Sequence, residues 1–264
     1  MGCYRHQILV DEATDFSPLQ LACMNALAHP RTRSVFACGD FNQRLTTWGV
    51  RSPEALSWSL PNVEVREITV AYRQSRQLND LTKDIIRAVG GTVSNVTLPA
   101  EVDNDVAAPV LLENGSTEET VKWLADRIVD IERFVVNQLP SIAVFVNSEE
   151  EVDSTAKALE ALLGEHNIPV MACREGQAVG RESSVRVFDI QHIKGLEFEA
   201  VFFLGVDRLA ELQPELFDKY IYVGTTRAAA YLGLACAGEL PAQLSSVRRH
   251  FMADWTHKTV PKSE

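Results

Sequence analysis

Val185-Arg186-Val187-Phe188-Asp189-Ile190 and Ala200-Val201-Phe202-Phe203-Leu204-Gly205-Val206 flank a polar stretch, Gln191-His192-Ile193-Lys194-Gly195-Leu196-Glu197-Phe198. The flanking runs are short, apolar and rich in β-branched and aromatic residues. That pattern predicts strands buried on both faces, as in a parallel sheet. Polar residues gathered at strand ends are where α/β proteins bind ligands. A lone histidine in such a setting is ordinarily a structural hydrogen-bonder, so His192 gains meaning only from its company.

The rest of the chain repeats the alternation. Gln7–Val10, Ser34–Cys38, Val65–Thr69, Ile142–Val146 and Tyr231–Ala237 predict further strands. Ser17-Pro18 opens a helical stretch to about Ala28, as a capping residue followed by proline does. Helical spacing also covers Ser75–Val89, Thr117–Val136, Ser148 to about Glu165, and most of Pro214–Ala229. Residues 92–116 hold Pro, Asn, Asp and Gly without periodicity and predict a loop-rich connection. The class is α/β with largely parallel sheets.

Composition limits the functional classes. Apolar residues make up 46% of 264, enough for a real core, and the net charge is -11. A chain that coats DNA by bulk charge is therefore excluded, though a local basic groove is not. Cys3, Cys23, Cys38, Cys173 and Cys236 are widely spaced, which argues against a zinc site or disulfide framework and suits the cytoplasm. The longest apolar runs are strand-sized, so no membrane span is expected.

Several short motifs carry chemistry. Ile8-Leu9-Val10-Asp11-Glu12 is an apolar strand ending in two carboxylates. In phosphoryl transfer such an Asp holds Mg²⁺ and the adjacent Glu orients the attacking water; a strand followed by an acidic helix cap is the other reading. Phe36-Ala37-Cys38-Gly39-Asp40 repeats strand then carboxylate, and Gln43 follows at a distance suited to a γ-phosphate or its water, unless it is merely a polar turn. Trp48 is either a base-stacking loop residue or an interface tryptophan. Arg73 and Arg227 are guanidinium groups suited to phosphoryl oxygens. Arg227 follows the apolar run Tyr220-Ile221-Tyr222-Val223, where a charge needs a partner.

In order, these motifs resemble the superfamily 1 DNA helicases of the UvrD/Rep/PcrA type. Val10-Asp11-Glu12-Ala13-Thr14-Asp15-Phe16 resembles motif II, Gly39-Asp40-Phe41-Asn42-Gln43-Arg44 through Trp48-Gly49 motif III, and Ala71-Tyr72-Arg73-Gln74-Ser75 motif IV. Asp189 through Phe198 resembles motif V, and Tyr222-Val223-Gly224-Thr225-Thr226-Arg227-Ala228 motif VI. The resemblance implies a P-loop NTPase fold: a truncated first RecA-like domain over 1–72, a more complete second one over 73–240, and a tail over 241–264. It implies ATP and Mg²⁺ as cofactors and single-stranded DNA as partner, with movement 3′ to 5′. Asp11 would bind the metal and Glu12 would activate water. Gln43 would sense the γ-phosphate, and Arg73 and Arg227 would be arginine fingers. Gly195 and Glu197 would face the nucleotide, and Trp48 and His192 would serve DNA.

The sequence departs from that pattern in named places. No GxxxxGK[ST] phosphate loop occurs in the 264 residues. Thr14 stands where the family usually has Gln, Thr46 where an aromatic is common, and Gly49 where an Arg is common. Between Arg73 and Lys194 lie 120 residues, too few for the large inserted domain of the long helicases. The expectation is the C-terminal part of a helicase, inactive without a partner chain or upstream segment bearing the missing loop. A non-catalytic module that binds nucleic acid or protein is the alternative.

Overall fold

The computed structural model describes residues 3–46, 48–68, 74–88, 107–135, 139–177 and 183–255. The backbone gathers into two units, Met1–Thr69 and Val70–Glu264.

In the first unit, β1 (Gln7–Val10) and β2 (Ser34–Ala37) pair in parallel, with Gln7 opposite Ser34 and Val10 opposite Ala37. The crossover is α1 (Pro18–Ala26). Its start is a capping box: the Ser17 hydroxyl accepts from Gln20 N at 3.3 Å, and the Gln20 side chain accepts from Ser17 N at 2.8 Å. A second helix, α2 (Pro53–Ser59), begins with the same Ser-Pro signal at Ser52-Pro53, the Ser52 hydroxyl accepting from Ala55 N at 3.3 Å. Val10, Ala13, Leu21 and Val50 form the small buried core. The strand expected at Val65–Thr69 is not formed by the described residues 65–68. Val65 and Ile68 are exposed, and a strand without a paired neighbour leaves its amides to water. Thr69 lies outside the described residues.

The second unit starts with α3 (Arg76–Ala88), a helix with a sharply one-sided apolar face. There follow β3 (Val110–Leu112), α4 (Thr117–Phe134), β4 (Ile142–Val146), α5 (Glu149–Leu163), β5 (Val170–Ala172) and β6 (Val185–Asp189). Then come β7 (Phe198–Leu204), α6 (Val206–Leu212), α7 (Phe217–Arg227) and β8 (Ala228–Ala235). The sheet has six strands in the order β3-β8-β7-β4-β6-β5, every pair parallel. All five residues of central β4 are buried, and Phe145 stacks on Phe188 and Phe203 at 5.8 and 5.4 Å. The α/β class with parallel sheets is therefore the observed one.

Two short strands were not legible. Residues 110–112 fall within the stretch read as a loop, yet β3 pairs with β8 as an edge strand, and β5 is the opposite edge. Three residues are too few for periodicity to register. After β8, a 3-10 segment (Ala242–His250) lies against α3. Asp84 of α3 receives Arg249 at 2.6 Å and the His250 ring at 2.8 Å, beside Arg87 of its own helix. The chain then returns to the edge strand, where Trp255 Nε1 donates to Ala108 O at 2.7 Å.

Candidate functional site

In the first unit the polar residues collect where β1 and β2 end. Glu12 has φ 50 and ψ 42, a left-handed conformation that strains a side chain with a Cβ. The turn is held by Asp11, whose Oδ1 accepts from Glu12 N at 2.8 Å and from the Cys38 thiol at 3.2 Å. That carboxylate, helped by burial, pushes the Cys38 thiol above its usual range. Ala13 N donates to Cys38 O at 2.8 Å, and the Thr14 hydroxyl to Asp40 O at 3.1 Å. The turn after β1 is thus knitted to the turn after β2. Asp40 caps the short 3-10 turn Phe41–Gln43 by accepting from Asn42 N at 2.8 Å, leaving Gln43 half-buried at its end. Trp48 is 62% exposed, with its ring open to solvent.

The residues that depart from the helicase pattern pack on one another. A Cβ placed on Gly49 would lie 2.1 Å from the Thr14 carbonyl and 2.6 Å from the Thr46 hydroxyl. Thr46 in turn donates to Asp15 O at 3.3 Å, and Arg44 to the Thr46 carbonyl. Thr14, Thr46 and Gly49 therefore form one joint, in which a glycine is required by close backbone approach.

In the second unit, Asp189 closes β6 and caps the turn Ile190–His192, accepting from Gln191 N at 2.9 Å. Burial pushes its carboxyl upward. His192 Nε2 lies 3.1 Å from Glu149 at the start of α5, and its ring covers Gly176. The same Glu149 oxygen accepts from Glu175 N at 2.9 Å, so one carboxylate fixes both the histidine and the neighbouring turn. Gly195 has φ 76 with open space around it; the backbone conformation, not crowding, calls for glycine there. Glu197 is exposed on the same loop, just before β7.

Arg227 is the last residue of α7, is 6% exposed, and is followed directly by β8. This helix-to-strand junction is clamped by Gln74, itself buried. Its Nε2 donates to Thr225 O at 2.8 Å and to Ala228 O at 3.2 Å, while Ser75 N donates to Ala229 O at 2.8 Å. The segment after Tyr72-Arg73 is thereby brought to the carbonyls on either side of Arg227, across 151 residues of sequence. Tyr72 and Arg73 themselves lie outside the described residues. Gln74, Cys38 and Glu149 went unremarked as site residues in the sequence. For Gln74 a signal existed in its place beside Tyr72-Arg73; the other two are found only through the fold.

Asp11, Glu12, Asp40 and Gln43 share one neighbourhood in the first unit. His192, Gly195 and Glu197 share one loop in the second, with Arg227 at a separate junction. The fold and these strand-end clusters define an α/β protein whose polar chemistry sits at the carboxyl ends of parallel strands. Within that class, the chain resembles the UvrD-like helicases: residues 184–235 match the family model of the UvrD-like helicase C-terminal domain. A probable DNA helicase of Mycoplasma pneumoniae is 26% identical over 248 residues, covering 87% of this chain. The chain spans 43% of that relative's length. The solved C-terminal domain of a possible DNA helicase from Lactobacillus plantarum WCFS1 aligns over 67% of this chain and 94% of its own, at 24% identity and a TM-score of 0.47.

Proposed function

We propose that this chain supplies the C-terminal motor portion of an ATP-dependent, UvrD-type DNA helicase or translocase that moves 3′ to 5′ along single-stranded DNA. Residues 1–72 then belong to the first RecA-like domain and 73–240 to the second. The observation that carries this reading is the clamp of Gln74 on the Arg227 junction, which joins two motifs 151 residues apart at one place. The knitted Asp11–Glu12 and Gly39–Asp40 turns support it.

In this reading Asp11 holds Mg²⁺, which when bound neutralises charge on phosphoryl oxygens. The donor set fits that ion. Mg²⁺ takes one or two carboxylates and fills its shell with water and phosphate, and Asp11 presents a carboxylate at the end of β1. Glu12 orients and deprotonates the attacking water, and its strained backbone sets the direction of the carboxylate. Gln43 senses the γ-phosphate. Arg73 and Arg227 stabilise the charge that develops there. Glu197 meets the ribose beside Gly195, Trp48 stacks on a base, and His192, held by Glu149, relays between DNA and nucleotide. The GxxxxGK[ST] loop comes from outside these 264 residues, on an upstream segment or another chain, and the assembly works in the reducing cytoplasm.

One observation favours a second reading. Thr14, Thr46 and Gly49 pack as a joint where the family pattern places an amide, a ring and a guanidinium. A module that binds DNA or protein without turnover suits that joint. ATP hydrolysis by the purified chain separates the readings, measured with and without single-stranded DNA and with a loop-bearing polypeptide added. The motor reading expects no hydrolysis by the chain alone and DNA-stimulated hydrolysis on addition, abolished by Arg227→Ala. DNA binding indifferent to ATP, with no hydrolysis in any mixture, supports the module instead.

A further inference from the structure

The two ends of the first unit's sheet carry opposite charge. Its carboxyl end holds Asp11, Glu12, Asp15 and Asp40. Residues 3–6 and 27–33, at the other end, contain no carboxylate but carry Arg5, Arg31, Arg33, His6 and His29. In a chain of net charge -11 this is a local basic surface. Arg5, Arg31 and Arg33 are all exposed, and among the described residues none of the three is in an ion pair.

Aromatic rings lie beside these charges. His6 stacks on His29 with centroids 5.7 Å apart and planes at 18°, and Tyr4 meets His29 edge-on at 6.1 Å. The turn that presents the arginines is tied to the stack. Thr32 N and Arg33 N both donate to His29 O, at 3.1 and 2.8 Å, and the Thr32 hydroxyl donates to His6 O at 3.1 Å. Arg31 N donates to His29 Nδ1 at 3.3 Å, which fixes that ring. Arg33 has φ 44, a left-handed conformation that a side chain with a Cβ rarely adopts.

We propose that this amino-terminal end of the sheet is a binding site for single-stranded nucleic acid. Arg31 and Arg33 take successive phosphates, and the exposed Tyr4 and His6 rings form a stacking platform for a base. Exposed guanidinium groups beside aromatic faces recognise an unpaired strand, whereas an acidic protein surface makes no use of the rings. The site lies at the opposite end of β1 from Asp11, roughly 13 Å along the strand's four residues, and does not involve Trp48. It rests on the motor reading only in taking nucleic acid as its ligand. Arg5 lies outside the turn that carries Arg31 and Arg33, in an isolated bridge to Ala28 with its N donating to Leu27 O at 2.8 Å, so Arg5 is a charge-matched control.

The test is fluorescence anisotropy of a labelled oligo-dT titrated with the full chain at several salt concentrations. The double variant R31A/R33A is expected to weaken binding and to lower the slope of log K against log salt by about 1.4, at about 0.7 per single-strand phosphate. Tyr4→Ala is expected to weaken binding about fivefold with the slope unchanged, and Tyr4→Phe to restore it. Arg5→Ala should change the slope least. Wild-type affinity in R31A/R33A, an equal loss in Arg5→Ala, or displacement of oligo-dT by poly-glutamate as readily as by unlabelled oligo-dT would each overturn the proposal. Binding lost in Trp48→Ala but untouched in R31A/R33A overturns this site and leaves the motor reading standing. A wild-type chain that binds no oligo-dT at all overturns both.

Discussion

Two parallel sheets in this molecule are protected to very different extents. In the second unit, β4 is buried at every residue, with helices and flanking strands around it. In the first unit, the register partners Leu9 and Phe36 are 69% and 58% exposed, and among the described residues the sheet has two strands. Parallel sheets are normally covered on both faces, and two strands alone are marginal in water. The contrast teaches that stability and chemistry are distributed differently. The large unit supplies a core that stands by packing. The small unit supplies strand-end carboxylates in turns that local hydrogen bonds hold in shape.

That contrast can be tested in the core first. Phe202→Ala should cost about 3–5 kcal/mol and lower the denaturant midpoint of the second unit, because Phe202 is fully buried in its main core. A cost as small as that of Leu9→Ala in the first unit would remove the distinction. Gln74→Leu should cost about 1–3 kcal/mol, since the Thr225 and Ala228 carbonyls lose a buried donor. Urea unfolding followed by circular dichroism measures it, and loss should fall in the second unit's transition.

In the first unit, Gly49→Arg restores the side chain common in the helicase family but places a Cβ against Thr14 O. It should destabilise by about 1–3 kcal/mol in thermal unfolding, and an unchanged melt would show that the joint yields. Glu12→Gly should stabilise the fold by about 1 kcal/mol, because glycine adopts the left-handed conformation without strain. In the motor reading it also removes the base, so a gain in stability with loss of turnover is expected.

The smallest effect is a pH dependence. Burial pushes the Asp84 carboxyl up, but hydrogen bonds from His250, Arg87 and Arg249 outweigh it and leave it below the ordinary Asp range. Its contribution is therefore complete above about pH 4 and fades as pH falls through the depressed value. Hydrogen exchange of residues 242–250 should speed up in that acid range, and Asp84→Asn should make the exchange insensitive to it.

Long elements were legible in the sequence for a physical reason. The 18 residues of α4 and the 15 of α5 repeat their apolar spacing over several turns, and Ile142–Val146 is too apolar to be anything but buried. The helix start at Ser17-Pro18 was legible because capping is chemistry within four residues. The short strands β3 and β5 were not, because an edge strand exists through its neighbour, and nothing within three residues states who that neighbour is. Residues 65–68 show the converse: a β-like composition with no partner strand among the described residues. The candidate site divides in the same way. Asp11, Glu12, Gln43, Glu197 and Arg227 stand out as residue types in order, whereas Cys38 and Glu149 become visible only when the fold brings them to Asp11 and His192.

The sequence by itself determined the alternation of strands and helices, the parallel class, and the ordered motifs. Each of these depends on chemistry within a few neighbouring residues. Only the tertiary structure decided that Gln74 holds the carbonyls around Arg227, that Thr14, Thr46 and Gly49 make one joint, and that arginines and rings meet at the amino end of the first sheet. Those contacts join residues distant in sequence, and their energy comes from burial and hydrogen-bond geometry that no local pattern encodes.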